Sequence, residues 1–159
     1  MNKKMSVKDL VVAALIAALY AVLTYVSAAF GLAYGAVQFR ISEALCILPL
    51  FTPTAIYGLT VGCLISNIGS TLGVMDMLFG TAASLLASVL TYLLRNKSKA
   101  ISLLPPVIIN ALFVGAQVAI FTDDAGFFAT FLYVALGQAV VVYGLGLPLS
   151  QIIKKTKIF

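Results

Sequence analysis

The chain has 159 residues, of which 62% are hydrophobic and 9% charged, with a net charge of +5 and a mean hydropathy of +1.12. Soluble domains carry about 25% charged residues, so the composition excludes an ordinary soluble domain and fits a single all-α integral membrane domain over 1–159 in the lipid bilayer. The absence of histidine excludes a zinc site and a His-based nucleophile relay, and the absence of a glycine-rich loop ending in Gly-Lys-Ser/Thr excludes that route to ATP.

The first helix is predicted over about 7–30. Lys3, Lys4 and Lys8 before an apolar run, with Ser27-Ala28-Ala29 near its end, have the look of a signal peptide. The run is close to the ~20 residues that a span needs and is rich in alanine, so a retained helix is expected. Ala13, Ala17 and Ala21 recur every four residues, as do Ala14 and Ala18. These two strips of small residues suit the close approach of another helix, either from the same chain or from a second subunit.

A loop over 31–37 leads to a short helix predicted at about 39–50. Pro49 and Pro53 bracket the next turn, because a proline disfavours helix in the residue before it. The third helix is placed at about 54–68, with Gly58 and Gly62 four apart as a close-packing face. The fourth covers about 75–94 and opens near Asp76. The fifth covers about 100–121, with Pro105 and Pro106 in its first turns delaying or kinking it. The acidic turn at Asp123 and Asp124 reads as solvated, and the sixth helix covers about 127–153.

Nine of the ten basic residues fall on one side of a six-span topology: Lys3, Lys4, Lys8, Arg95, Lys97, Lys99, Lys154, Lys155 and Lys157. The positive-inside rule makes that side cytoplasmic, with both termini there. A five-span alternative separates the lysine-rich ends. Helices two and three are short for full spans, and a re-entrant hairpin keeps the same orientation. Clusters at apolar boundaries are the pattern of membrane anchoring, so no nucleic-acid partner is expected.

The remaining basic residue, Arg40, stands with Glu43 where an apolar stretch begins. On a helix, residues three apart share a face. A charge in hydrocarbon costs about 2.5–3.5 kcal/mol on insertion scales and usually faces a cavity or a partner. A ligand site is the leading reading, and a structural ion pair is the plain one. The topology puts Arg40, Glu43, Asn67 and Asp76 at the outer ends of three helices, where they can converge on one external pocket. Asp76 also suits a helix N-terminus. Asn110 and Gln117 are seven apart on one helical face, and Gln138 sits mid-way along the last helix. These amides should point inward, toward ligand or toward one another. Cys46 and Cys63 read as buried fillers without metal-ligand spacing, so no metal or other cofactor is expected. Phe39, Tyr34 and Tyr143 are candidate stacking partners. Two carboxylates and several amides with one arginine favour a neutral or cationic ligand. A carboxylate also matches two adjacent donors, such as the N1–H and amine edge of a guanine-like base.

The run Val37-Gln38-Phe39-Arg40-Ile41-Ser42-Glu43-Ala44-Leu45 resembles the signature of the queuosine-precursor transporter family (QueT). So do Gly58-Leu59-Thr60-Val61-Gly62-Cys63-Leu64-Ile65-Ser66-Asn67 and Met75-Asp76-Met77-Leu78-Phe79-Gly80-Thr81. The resemblance covers nearly the whole chain. It implies an S component of an energy-coupling factor (ECF) transporter: a six-transmembrane-helix bundle in the plasma membrane that captures substrate on the outer side. The implied partners are a transmembrane coupling subunit and two ATPase subunits, with the alanines of the first helix as the docking face. The implied substrate is a 7-deazaguanine base such as 7-aminomethyl-7-deazaguanine. Glu43 would take its N1–H and 2-amino edge and Asp76 its aminomethyl cation. Arg40 would hold Glu43 or the base carbonyl, with Asn67, Gln117 and Gln138 completing the ring contacts. The chain itself is then a binding subunit and not an enzyme. Other readings are an S component for a different heterocyclic vitamin, or a stand-alone ion-coupled transporter with Glu43 and Asp76 titrating. Inverted repeats would support the second, and none is visible.

Overall fold

The computed structural model describes residues 5–34, 38–70, 72–121 and 126–156. The expected acidic turn at Asp123 and Asp124, the terminal lysines Lys3, Lys4 and Lys157, and Val37 of the signature run lie outside them. All regular structure among the described residues is helical.

Helix α1 spans Val7–Ala29. Its start is fixed by a capping box in which the Ser6 hydroxyl accepts from the Asp9 amide and the Asp9 carboxylate accepts from the Ser6 amide. It ends at Gly31, whose φ of +71° is a left-handed turn that glycine adopts without strain. Helix α2 (Thr54–Ser66) packs along α1. A Cβ at Gly58 would lie 2.8 Å from the Ala13 carbonyl oxygen, and one at Gly62 would lie 2.9 Å from that of Ala17. The two glycines therefore set the approach of this pair, as their spacing predicts.

Helix α3 is Val74–Leu93, α4 is the single turn Lys99–Ser102, and α5 is Leu104–Phe121. Pro105 and Pro106 explain the break between α4 and α5. In the first turn of a helix their missing N–H groups have no intrahelical partner to lose. Helix α6 (Phe127–Val141) continues through a π-turn at Val142–Gly146 into α7 (Leu147–Thr156). Pro148 cannot donate to the carbonyl four residues back, at Gly144, and its ring crowds that carbonyl. A widened turn just before it resolves the conflict.

The segment predicted as the second helix is a 3₁₀ helix at Ile41–Leu50, and eight of its residues, Ser42 to Pro49, are buried. At about 2.0 Å per residue it reaches about 20 Å, short of the ~30 Å hydrocarbon layer. Four helical stretches are long and apolar enough to cross a membrane: Val7–Ala29, Val74–Leu93, Lys99–Gln117 and Phe127–Thr156. Ile41–Leu50 and Thr54–Gly69 are shorter. The fold is thus all-helical with four full-length spans among the described residues, where six were expected.

The elements close a ring. α1 packs on α2, α2 on α3, α3 on α5 and α5 on α6, and the 3₁₀ helix closes the ring between α1 and the π-turn. The main apolar core joins Ile16, Tyr20, Ile47, Leu59, Leu103 and Ile153, so it spans the lower ring toward the basic α3–α4 loop and α7. The buried charged side chains Arg40, Glu43 and Asp76, with Asn67 and Gln117, collect toward the opposite end. A belt of exposed leucine, valine and isoleucine surrounds the ring, as a bilayer-facing surface requires.

Candidate functional site

The polar end of the ring encloses a cavity lined by Arg40, Glu43, Asn67, Asp76, Asn110 and Gln138. Gln38, Cys63, Gly80 and Ser84 share the lining, with Val114 and Val134 as its apolar wall. Six of the seven residues singled out from the sequence therefore meet in one place. The seventh, Gln117, is fully buried but does not line the cavity; its amide donates to Asp76 Oδ1. Gln117 thus holds a cavity residue rather than reaching the cavity itself. Its own Oε1 is buried and finds no hydrogen-bond partner among the described residues.

Arg40 does not share a helical face with Glu43, contrary to the spacing argument. It precedes the 3₁₀ helix in extended conformation, with φ −98° and ψ 113°. Its Nε donates to the Ala33 carbonyl at 2.9 Å and its Nη1 to Asn67 Oδ1 at 3.0 Å. The guanidinium also lies 5.2 Å from the centre of the Tyr34 ring, within cation–π range. Burial is the largest influence on the Arg40 pKa and acts to lower it. The nearby carboxylates Glu43 and Asp76 act to raise it, and the net direction is upward. Among the described residues its side-chain donors go to a carbonyl and an amide oxygen, not to a carboxylate.

Asn67 links three elements. Besides accepting from Arg40, its Nδ2 donates to the Asp76 carbonyl at 2.9 Å and contacts Cys63 Sγ at 3.4 Å. Asp76 lies in the first turn of α3, where the helix dipole favours a carboxylate. The N-cap is Gly73, with no side-chain cap bond, so Asp76 does not cap the helix in the expected way.

Glu43 is held by three donors. The Tyr20 hydroxyl donates to Oε1, while Gln138 Nε2 at 2.8 Å and Cys46 Sγ at 3.0 Å donate to Oε2. A carboxylate offers about four lone-pair sites, so one remains open on Glu43 among the described residues. Asp76 receives Ser70 on Oδ2 and Gln117 on Oδ1, which leaves one open site on each oxygen. The cluster carries one formal positive and two formal negative groups. The free space between them is about 20 Å³, room for about one water.

Several contributors were not read from the sequence. Tyr20 is not among the candidates read from the sequence, yet it is fully buried and bonds Glu43. A signal existed: Tyr20, Thr24 and Ser27 continue the buried face of Ala13 and Ala17 at helical spacing, so α1 turns a hydroxyl edge inward. Thr24 indeed bonds Ser42 at 2.7 Å, and Ser27 bonds the Ile41 amide. Of the candidate stacking rings, Tyr34 sits against Arg40 and Phe39 is half-buried. Tyr143 bonds the Ala100 carbonyl at the other end of the bundle, away from the cavity.

The two alanine strips separate. Ala13, Ala17 and Ala21 are buried, the first two against α2, so they cannot face a second subunit. Ala14 and Ala18 are exposed.

A sequence model of the family described as QueT transporter matches residues 10–155. A curated relative, the queuosine precursor transporter QueT of Lactococcus lactis subsp. cremoris (strain MG1363), is 37% identical over 97 residues. That alignment covers 61% of this chain and 57% of the relative, so the chain matches little more than half of the relative's length. No solved structure matches.

Proposed function

Because the chain belongs to the QueT transporter family, we propose that it is the substrate-binding S component of an ECF importer, capturing a 7-deazaguanine base such as 7-aminomethyl-7-deazaguanine at the outer face. The carrying observation is the convergence of two carboxylates, one arginine and four side-chain amides on a single buried cavity, drawn from the 3₁₀ helix and the residues before it, the end of α2, α3, α5 and α6. The excess of negative groups suits a base bearing an amine cation. The relative's name, which specifies a queuosine precursor, supports the same class.

The count of open acceptor sites divides the carboxylate roles differently from residue type alone. Asp76 keeps one open site on each oxygen and can meet the two adjacent donors of the base without displacing a protein group. Glu43 can do so only if Gln138 or another donor turns away, so its single open site and its charge suit the aminomethyl group. Arg40 and Asn110 are then available to the ring carbonyl and nitrogens. Ligand sites generally measure about 300–1,000 Å³, so capture requires the cavity walls to part. The chain provides no ATP site of the phosphate-loop kind. Uptake would depend on two ATPase subunits and a coupling subunit, the latter docking over exposed Ala14 and Ala18, with both termini cytoplasmic.

Calorimetry of the purified chain against a panel of deazapurines and heterocyclic vitamins tests this reading. The expected result is binding of 7-aminomethyl-7-deazaguanine and none of the vitamins. Glu43→Gln should weaken the aminomethyl base about tenfold or more while changing the nitrile-bearing analogue much less. Asp76→Asn should weaken both alike. Binding of a vitamin in place of any deazapurine would overturn the proposal.

A further inference from the structure

We propose that the membrane-edge notch between α3, α4 and α5 is a binding site for an anionic phospholipid. The notch lies at the opposite end of the bundle from the polar cavity. Its walls are Leu90 from the last turn of α3, Leu94 just past its end, Ile101 from α4, and Leu104, Pro105 and Ile108 from the start of α5. It exists because the two prolines keep α4 from running straight into α5, which opens a concave gap of about 250 Å³ where the other helices abut.

An apolar gap facing a bilayer gives no selectivity by itself, since one acyl chain fills it as well as another. Selectivity comes from the rim. The loop joining α3 to α4 begins at the residue after Leu94 and carries Arg95, Lys97 and Lys99. Arg95 lies back over the Tyr92 ring, 4.0 Å from its centre, and spends one N–H on the Tyr92 carbonyl. Its other guanidinium donors are uncommitted among the described residues. Lys97 is exposed. Lys99 is tied to Ser150 of α7 at 2.6 Å, which anchors the loop's end just before Ile101 of the notch wall. Acidic side chains are absent from 77–121, the stretch containing α4 and α5 and nearly all of α3. A phosphate at this height meets cations on the loop while its acyl chain fills the notch, and a zwitterionic lipid gains only the second contact.

The test uses the full chain reconstituted in bilayers of phosphatidylglycerol and phosphatidylcholine with matched acyl chains, followed by native mass spectrometry. Phosphatidylglycerol should be retained over phosphatidylcholine at least about fivefold beyond the bulk ratio, the factor that one basic contact near a membrane surface supplies. Arg95→Gln with Lys97→Gln should return retention to the bulk ratio. Filling the notch with Ile108→Trp, or with Leu104→Phe if the first variant fails to fold, should lower retention of both lipids. Equal retention by the unaltered chain refutes the site. Undiminished phosphatidylglycerol enrichment in the filled variant also refutes it, because the charges would then act without the notch. A photo-crosslinker at position 108 that captures a protein segment in place of lipid assigns the gap to another occupant. None of these outcomes depends on which base the polar cavity binds.

Discussion

Gly80 shows how tightly the cavity is specified at the level of single atoms. A Cβ there would sit 2.5 Å from Asn67 Nδ2, so only glycine leaves room for the amide that fastens Arg40 to the first turn of α3. Gly80→Ala is expected to push Asn67 aside, loosen Arg40 and weaken ligand binding by about tenfold, consistent with the 1–3 kcal/mol typical of overpacking. The double change Gly80→Ala with Asn67→Ser removes the clash, but it also removes the link to Arg40, so it should recover thermal stability without recovering affinity. Calorimetry and a melting curve on the same samples check both halves. Restored affinity in the double variant would argue that Asn67 is a spacer. The sequence exposes this site unevenly. Arg40, Glu43, Asn67, Asp76, Asn110 and Gln138 stand out because each is polar in an apolar setting. Tyr20, Cys46 and Cys63 do not, since a buried phenol or thiol is as common in packing as in a polar network. Gly80 could not be identified without coordinates, because its role depends on a side chain thirteen positions earlier.

At the scale of elements, sequence patterns locate most boundaries but not the winding. The predicted short helices at about 39–50 and 54–68 correspond to Ile41–Leu50 and Thr54–Gly69, yet the first is 3₁₀. Spacing of apolar residues says little in a segment that is buried all round. Arg40 and Glu43 do not share a helical face because Arg40 stands in extended backbone before the 3₁₀ helix begins. The alanine pattern on α1 was legible as two strips, but which strip packs internally depended on the placement of Gly58 and Gly62. The outcome leaves Ala14 and Ala18 exposed beside Leu10, Leu15 and Val22. Replacing Ala14 and Ala18 together by leucine should leave base binding by the isolated chain within about twofold, because neither residue touches the cavity. If the proposed coupling subunit docks there, the same change should abolish co-purification with it and uptake in cells. Intact co-purification would move the docking face elsewhere.

The whole molecule is divided end from end. The basic loop and the lysines of α7 mark one end, and the acid-rich cavity occupies the other. The positive-inside rule turns this into an orientation. A cysteine at Asn96 should react with a membrane-impermeant maleimide only in inside-out vesicles, and one at the exposed Leu32 only in right-side-out vesicles. The native Cys46 and Cys63 are buried and add little background. Labelling of both sites from the same side would invert or break the proposed topology.

Glu43 and Gln138, which bond each other across the cavity floor, sit on or beside the two stretches of backbone that depart from α-helical winding. The 3₁₀ helix is overwound, the π-turn just past Gln138 is underwound, and the two pack against each other. Passing a single residue from one hydrogen-bond register to another in either stretch would separate this pair by a local twist. The parting of the cavity walls that capture requires can therefore begin at this pair, where the winding already departs from the regular α-helix on both sides.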